Sequence, residues 1–134
     1  MSRNFHQLHL HLVFVTKHRD HLINDQLEKS LYQHLWVKAH ELELFPIAIN
    51  GTKDHLHLLI GIPSTLSVAS IVKNLKGSSS RFANDFMGNQ DLFQWSRGYE
   101  AFTVSKKDIP MIKSYIRNQN DHHKKGSVKS DLEF

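Results

Sequence analysis

Strict alternation opens the readable part of the chain. Leu8, Leu10, Leu12 and Phe14 fall on one side of a strand over residues 8–16, and His9, His11, Val13 and Val15 on the other. After the polar connection Lys17-His18-Arg19-Asp20 the period changes. Leu27, Leu31, Leu35, Ala39 and Leu42 recur at helical spacing, which predicts a helix capped by Asn24 or Asp25 and running to about Leu44. Pro46 ends that stretch. Ile47-Ala48-Ile49 then reads as a short strand, Asn50-Gly51 as a turn, and Leu56 to Ile62 as the returning strand of a hairpin. Ser67 opens a second helix with Val68, Ile71, Val72 and Leu75 as its stripe. Gly77-Ser78-Ser79-Ser80 is its weak point, where the helix either continues to Phe86 or restarts. Gly88 to Gln94 reads as a loop and Tyr99 to Ser105 as a strand. Asp108 caps a last helix, with Pro110 in its first turn, that runs to about His123; residues 124–134 form a polar, flexible tail.

The resulting order, β-α-β-β-α-β plus one helix, is an α+β arrangement of the ferredoxin-like, split βαβ kind. It predicts a four-stranded antiparallel sheet with the first and third strands central and two helices on one face. The other face needs a cover of its own: the last helix, a partner chain or a ligand. With no internal repeat and no linker, residues 1–134 read as one domain.

Composition narrows the chemistry. Among 134 residues there is no cysteine, which excludes a disulfide scaffold, a thiolate zinc site and a cysteine nucleophile. No apolar run approaches the roughly 20 residues that span a bilayer, and the first residues lack a hydrophobic signal core, so a cytoplasmic protein without membrane contact is expected. Seventeen Lys plus Arg against 13 Asp plus Glu give a net charge of +4, which fits a polyanionic partner or an ordinary basic surface about equally. Eleven histidines are a heavy load for this length.

Two of those histidines carry the sharpest signal. In Asp54-His55-Leu56-His57-Leu58-Leu59-Ile60, His55 and His57 point to one face of a strand, about 7 Å apart at the backbone, while Leu56, Leu58 and Ile60 point to the other. Two imidazoles so placed can converge on one divalent ion. Any alternating strand with outward histidines gives the same pattern, and His9 with His11 repeats the spacing, so a third ligand is needed. The last helix offers one. Tyr115 and Gln119 are four apart, on one helical face. Gln119 supplies a neutral carbonyl oxygen and Tyr115 a phenol able to attack phosphorus. Against this, Tyr115 borders the stripe Ile109, Ile112, Ile116 and can simply pack there, with Gln119 in solvent.

These residues together resemble a known family. His55-Leu56-His57 matches the HUH motif (His, bulky apolar, His), and Tyr115 with Gln119 resembles the tyrosine helix of the small single-tyrosine HUH transposases of the insertion-sequence-200/605 group. The likeness runs along almost the whole chain. It takes in Leu10 to Arg19, Lys53 to Ile60, Leu75 to Phe82, Tyr99 to Ser105, Tyr115 to Gln119 and His122 to Lys124, and departs at Lys53, where many relatives carry proline.

The resemblance implies a ferredoxin-like homodimer whose sites are shared between chains. It implies cleavage and rejoining of single-stranded DNA at hairpin-marked element ends, without ATP. Tyr115 would be the catalytic nucleophile, forming a 5′-phosphotyrosine, and His55, His57 and Gln119 would hold Mg²⁺ or Mn²⁺. Neutral ligands suit that role, because they leave a cation's charge available to a phosphodiester. Asp54, adjacent to His55, is expected to face the opposite side, and His11 to stand behind the ligands. Lys17, Arg19, Lys53, Lys76, Arg81, Lys106, Lys107 and Arg117 are the candidate phosphate contacts around this face, with Lys73 and Lys113 beside them; each also reads as an ordinary surface charge. Trp95, Tyr99 and Phe102 either stack on unpaired bases or fill the core. Two other readings stand beside this one: a non-catalytic RRM-like binding module, and a domesticated relative of the tyrosine transposases associated with repetitive palindromes. Against the module, the third strand presents histidines where an RRM needs aromatics.

Overall fold

The computed structural model describes residues 7–88 and 92–119. Its elements are β1 (Leu8–Val15), α1 (Asp25–Glu41), β2 (Phe45–Gly51), β3 (His55–Ile62), α2 (Val68–Phe86), β4 (Glu100–Thr103) and α3 (Ile109–Arg117), with short 3₁₀ turns at Lys17–Arg19 and Lys106–Asp108. The sheet is antiparallel, in the order β2-β3-β1-β4, so β1 and β3 are central as the split βαβ order predicts. The tail at 124–134 lies outside the described residues; α3 closes at Arg117, where Asn118 (φ −101°) caps it, ahead of the end expected near His123.

Alternation along the two central strands sorts the molecule into layers. Leu10, Leu12 and Phe14 of β1 and Leu56, Leu58 and Ile60 of β3 pack under α1 and α2 in the main core. The opposite face is covered by α3: Ile112, Tyr115 and Ile116 pack on Leu59, Ala48 and Val104. That second, smaller core carries the histidine face. Among the described residues no helix is long and apolar enough to cross a membrane.

Several boundaries differ from the expected ones for local reasons. α1 stops at Glu41 because Glu43 takes a left-handed conformation (φ 62°) and the chain closes a Schellman motif, with Leu44 N–H on the Ala39 carbonyl and Glu43 N–H on that of His40. A glutamate where glycine is usual conceals this stop. Pro46 sits inside β2, which tolerates it as an edge strand with a bulge between Pro46 and Ala48.

Asn50-Gly51 is not the hairpin turn. Gly51 pairs with Leu56, and the chain reverses over residues 52–54 with Thr52 N–H on the His55 carbonyl. Glycine is needed at 51 for close approach: a Cβ there would collide with the His55 carbonyl oxygen and lie 2.7 Å from Leu56 Cα. α2 runs unbroken through Gly77.

Candidate active site

The site grows out of the start of β3. His55 and His57, both buried, point away from the main core, and their rings stand 5.2 Å apart, edge to face. Each Nδ1 meets a partner from outside the pair. His55 Nδ1 lies 2.7 Å from Asp54 Oδ1 and 3.0 Å from Thr52 Oγ1. His57 Nδ1 lies 2.7 Å from Nε2 of His11, which is fully buried on the neighbouring central strand. Both Nδ1 atoms are thus engaged.

The Asp54 contact corrects an expectation. Strand alternation places Asp54 on the opposite face, but β3 begins at His55 and Asp54 belongs to the turn, so its carboxylate curls back onto the next residue. The signal was the polar pair Thr52 and Asp54 just ahead of the motif: the Thr52 hydroxyl donates to Asp54 Oδ1 (3.1 Å) and fixes the carboxylate. Burial raises the Asp54 carboxyl, yet the hydrogen bond with His55, the charges of Arg19 and His55 and the Thr52 hydroxyl outweigh it and hold the group below its usual range. Arg19 reaches it through Nε at 3.3 Å. To do so the chain places both His18 (φ 59°) and Arg19 (φ 56°) in the left-handed region, at a cost of about 1 kcal/mol each.

α3 delivers the rest. The Tyr115 ring stands 5.8 Å from that of His57, edge to face at 86°. Gln119, four residues on, is also buried, so it is not the solvent-facing residue that simple packing of Tyr115 predicts. Asn50 on β2, which its sequence context marks only as a turn residue, donates through Nδ2 to the Arg117 carbonyl at 3.0 Å and ties the end of α3 to the sheet. Within the chain, α3 thus sets the Tyr115 ring beside His57.

The donor set suits a divalent cation. Among the described residues no group of three or more His, Asp or Glu is arranged to hold one. Two imidazoles and an amide oxygen are an alternative set, and a carboxylate on the far nitrogen of His55 is the usual support of a ligating histidine.

The cationic candidates divide by place. Arg19 and Lys53 line one groove together with Thr52 and Asp54, next to His55 in the chain, and Arg117 is exposed at the end of α3. Lys106 and Lys107 are exposed in the turn that leads into α3. Lys17 donates to Gln94 Oε1 at 3.1 Å. Arg81 lies on α2, across the sheet from the histidines, lining a groove of about 530 Å³ with Lys38 and Lys73 rather than the histidine face.

Lys76 has a different task. Its ammonium donates to the carbonyls of Ser96 (2.6 Å), Arg97 (3.3 Å) and Gly98 (3.2 Å), and burial lowers its pKa. It fastens the approach to β4. Trp95 is likewise a core residue, packed edge-on against Phe14 and Phe93 with Nε1 on Ser79 Oγ, while Tyr99 is exposed and Phe102 stands beside His11.

Known proteins share this architecture. The chain is 28% identical over 123 residues to the ISDra2 transposase TnpA of Deinococcus radiodurans, covering 87% of this chain and 86% of that protein. It is 30% identical over 126 residues to the transposase for insertion sequence element IS200 of Salmonella typhimurium, covering 87% and 79%. A crystal structure of a candidate transposase from Deinococcus radiodurans R1 superposes with a TM-score of 0.70 at 27% identity, over 89% of this chain and 98% of that one. The fold is also that of a REP-associated tyrosine transposase bound to a REP hairpin (TM-score 0.64, 15% identity, 96% and 74% covered). Because the model of the family described as "Transposase IS200 like" matches residues 4–119, from ahead of β1 to Gln119, the chain belongs to the IS200-like transposases.

Proposed function

We propose that this DNA transposase cuts and rejoins single-stranded DNA at hairpin-marked ends through a covalent bond to Tyr115. One observation carries the reading: within one chain the Tyr115 ring stands edge-on to His57, beside a second histidine whose Nδ1 is held by Asp54. A phenol next to two imidazoles able to hold a cation is a combination suited to phosphoryl transfer to tyrosine.

Tyr115 Oη attacks the scissile phosphorus and gives up its proton. The bond from phosphorus to the 3′ oxygen breaks, a 3′ hydroxyl leaves, and the 5′ phosphate stays on the tyrosine. Attack by another 3′ hydroxyl on that phosphotyrosine reverses the chemistry and releases the phenol. No bond energy is lost to water, so no nucleotide is consumed. His55, His57 and Gln119 would hold Mg²⁺ or Mn²⁺, which when bound offsets the charge growing on the phosphate oxygens. Arg19, Lys53 and Arg117 flank the phosphate path, and Lys106 and Lys107 extend it along the approach to α3. Lys17 and Arg81 belong to outlying contacts with the DNA; Lys76 acts through the fold.

A hairpin partner is supported by the hairpin on which the REP-associated relative was solved. The working unit is a homodimer of one-domain chains acting in the cytoplasm, with each site built inside one chain. The non-catalytic RRM-like alternative is disfavoured because α3 covers the sheet face that such a module leaves open to bases.

The test is a denaturing gel of the protein with an end-labelled single-stranded hairpin oligonucleotide and Mn²⁺. A protein–DNA adduct that needs the metal and Tyr115 is the expected result. Hairpin binding without any adduct would favour the binding module.

A further inference from the structure

We infer that His11 is a positioning residue that fixes the tautomer of His57, so that His57 meets a metal ion through Nε2. The inference rests on the metal-dependent reading above. Its observations are the 2.7 Å contact between His11 Nε2 and His57 Nδ1, the complete burial of both rings, and the parallel contact of Asp54 with Nδ1 of His55.

A neutral imidazole carries one ring proton, and a ligating nitrogen must present a lone pair. If His57 binds through Nε2, its proton sits on Nδ1, and the atom 2.7 Å away must accept it. His11 can accept there only with its own proton on Nδ1. The opposite arrangement, with His11 Nε2 donating to His57 Nδ1, puts the His57 proton on Nε2 and closes that position to an ion. The short contact therefore couples the two rings: one proton placement leaves His57 a ligand, the other does not, and the metal reading requires the first. A carboxylate does this for His55; on the sheet interior, where a second buried charge would be costly, a neutral imidazole does it for His57.

β-strand geometry explains why residue 11 supplies the acceptor. His57 pairs with Val13 and His11 with Leu59, so His11 and His57 are diagonal neighbours on one face, within reach of two long side chains across adjacent central strands. The sequence spacing that repeats His-x-His on β1 thus has an assigned use at His11.

The experiment combines ring-nitrogen NMR with metal binding. Two-bond ¹⁵N–¹H spectra of uniformly labelled protein, with the His57 signals assigned by their loss in His57→Asn, should show the proton on Nδ1 and an unprotonated Nε2. Mn²⁺ affinity, read by EPR of the free ion, should fall about 10- to 100-fold in His11→Leu. His11→Gln, which returns an acceptor oxygen, should recover most of it. A His57 proton found on Nε2, or Mn²⁺ bound by His11→Leu as by the unaltered protein, overturns the role of His11 and leaves the metal site standing. Unaltered protein that binds no Mn²⁺, or binds it equally after His55→Ala, overturns the metal site and this inference with it. If His11→Leu does not fold, the tautomer of His57 in the unaltered protein and the His11→Gln affinity still decide.

Discussion

Tyr115 and His57 of one chain lie edge to face, ring centroids 5.8 Å apart and planes at 86°, although 58 positions separate them in sequence. The contact joins the two halves of the proposed chemistry, a candidate nucleophile on α3 and a candidate ligand on β3. It also gives the Tyr115 ring a packing role, since its neighbours in the second core include Leu59 and Ile112. Removing only the hydroxyl separates the two roles. Tyr115→Phe should lose the covalent adduct entirely, keep hairpin affinity within about twofold, and melt within about 0.5 kcal/mol of the unaltered protein. An adduct that survives would move the nucleophile elsewhere.

A second prediction concerns which chain supplies what. The tyrosine helix is fastened to its own sheet by Asn50 Nδ2 on the Arg117 carbonyl and by Ile112 and Ile116 in the second core. A His55→Ala chain mixed with a Tyr115→Phe chain should therefore form no more adduct than either alone. Adduct in the mixture would mean that α3 leaves this position and crosses to a partner. Asn50→Ala, which loosens the tether, should then raise the yield.

The cations divide into those that serve the fold and those open to DNA. Lys76→Met should cost about 1 kcal/mol of stability, because three carbonyls lose their donor in a partly exposed site. It should leave the salt dependence of DNA binding unchanged. Lys106→Ala and Lys107→Ala should do the reverse, each lowering the slope of log affinity against log salt by about 0.7 without moving the melting temperature. Equal slopes across all three variants would remove Lys106 and Lys107 from the phosphate path.

Much of this was legible in the chain, and the exceptions share a cause. Alternation along β1 and β3 and the helical stripes fix the layer order, because burial on one face leaves no other register. The His55–His57 pair is likewise periodic, so its face could be read directly; Gln119 lies past Arg117, where α3 ends, so its burial could not be read from helical period alone. What escaped is non-periodic. Asp54 turns back because it precedes the strand, and Asn50 and Gly51 extend β2 because the reversal is built by Thr52 to Asp54. Lys76 is drawn inward by carbonyls twenty or more residues away. The contact between His11 and His57 depends on which strands become neighbours, a property of the assembled sheet and not of either segment.

Asp54 supplies a pH-dependent test of the turn that supports the site. Its carboxyl is held below the usual range by His55, Arg19 and Thr52 in spite of burial. On acidification the unfolded chain therefore takes up this proton before the folded one does. The stabilisation is complete above the ordinary carboxylate pKa and is lost as pH falls through the lower, folded value. Between about pH 5 and about pH 3 the urea midpoint of the unaltered protein should fall more steeply than that of Asp54→Asn, which has no carboxylate to protonate. The variant should also be the less stable of the two at the upper pH, because Arg19 and His55 lose a charged acceptor. Parallel acid limbs for the two proteins would mean that the Asp54 carboxylate contributes no net stability, and that the orientation of His55 is set by the strand alone.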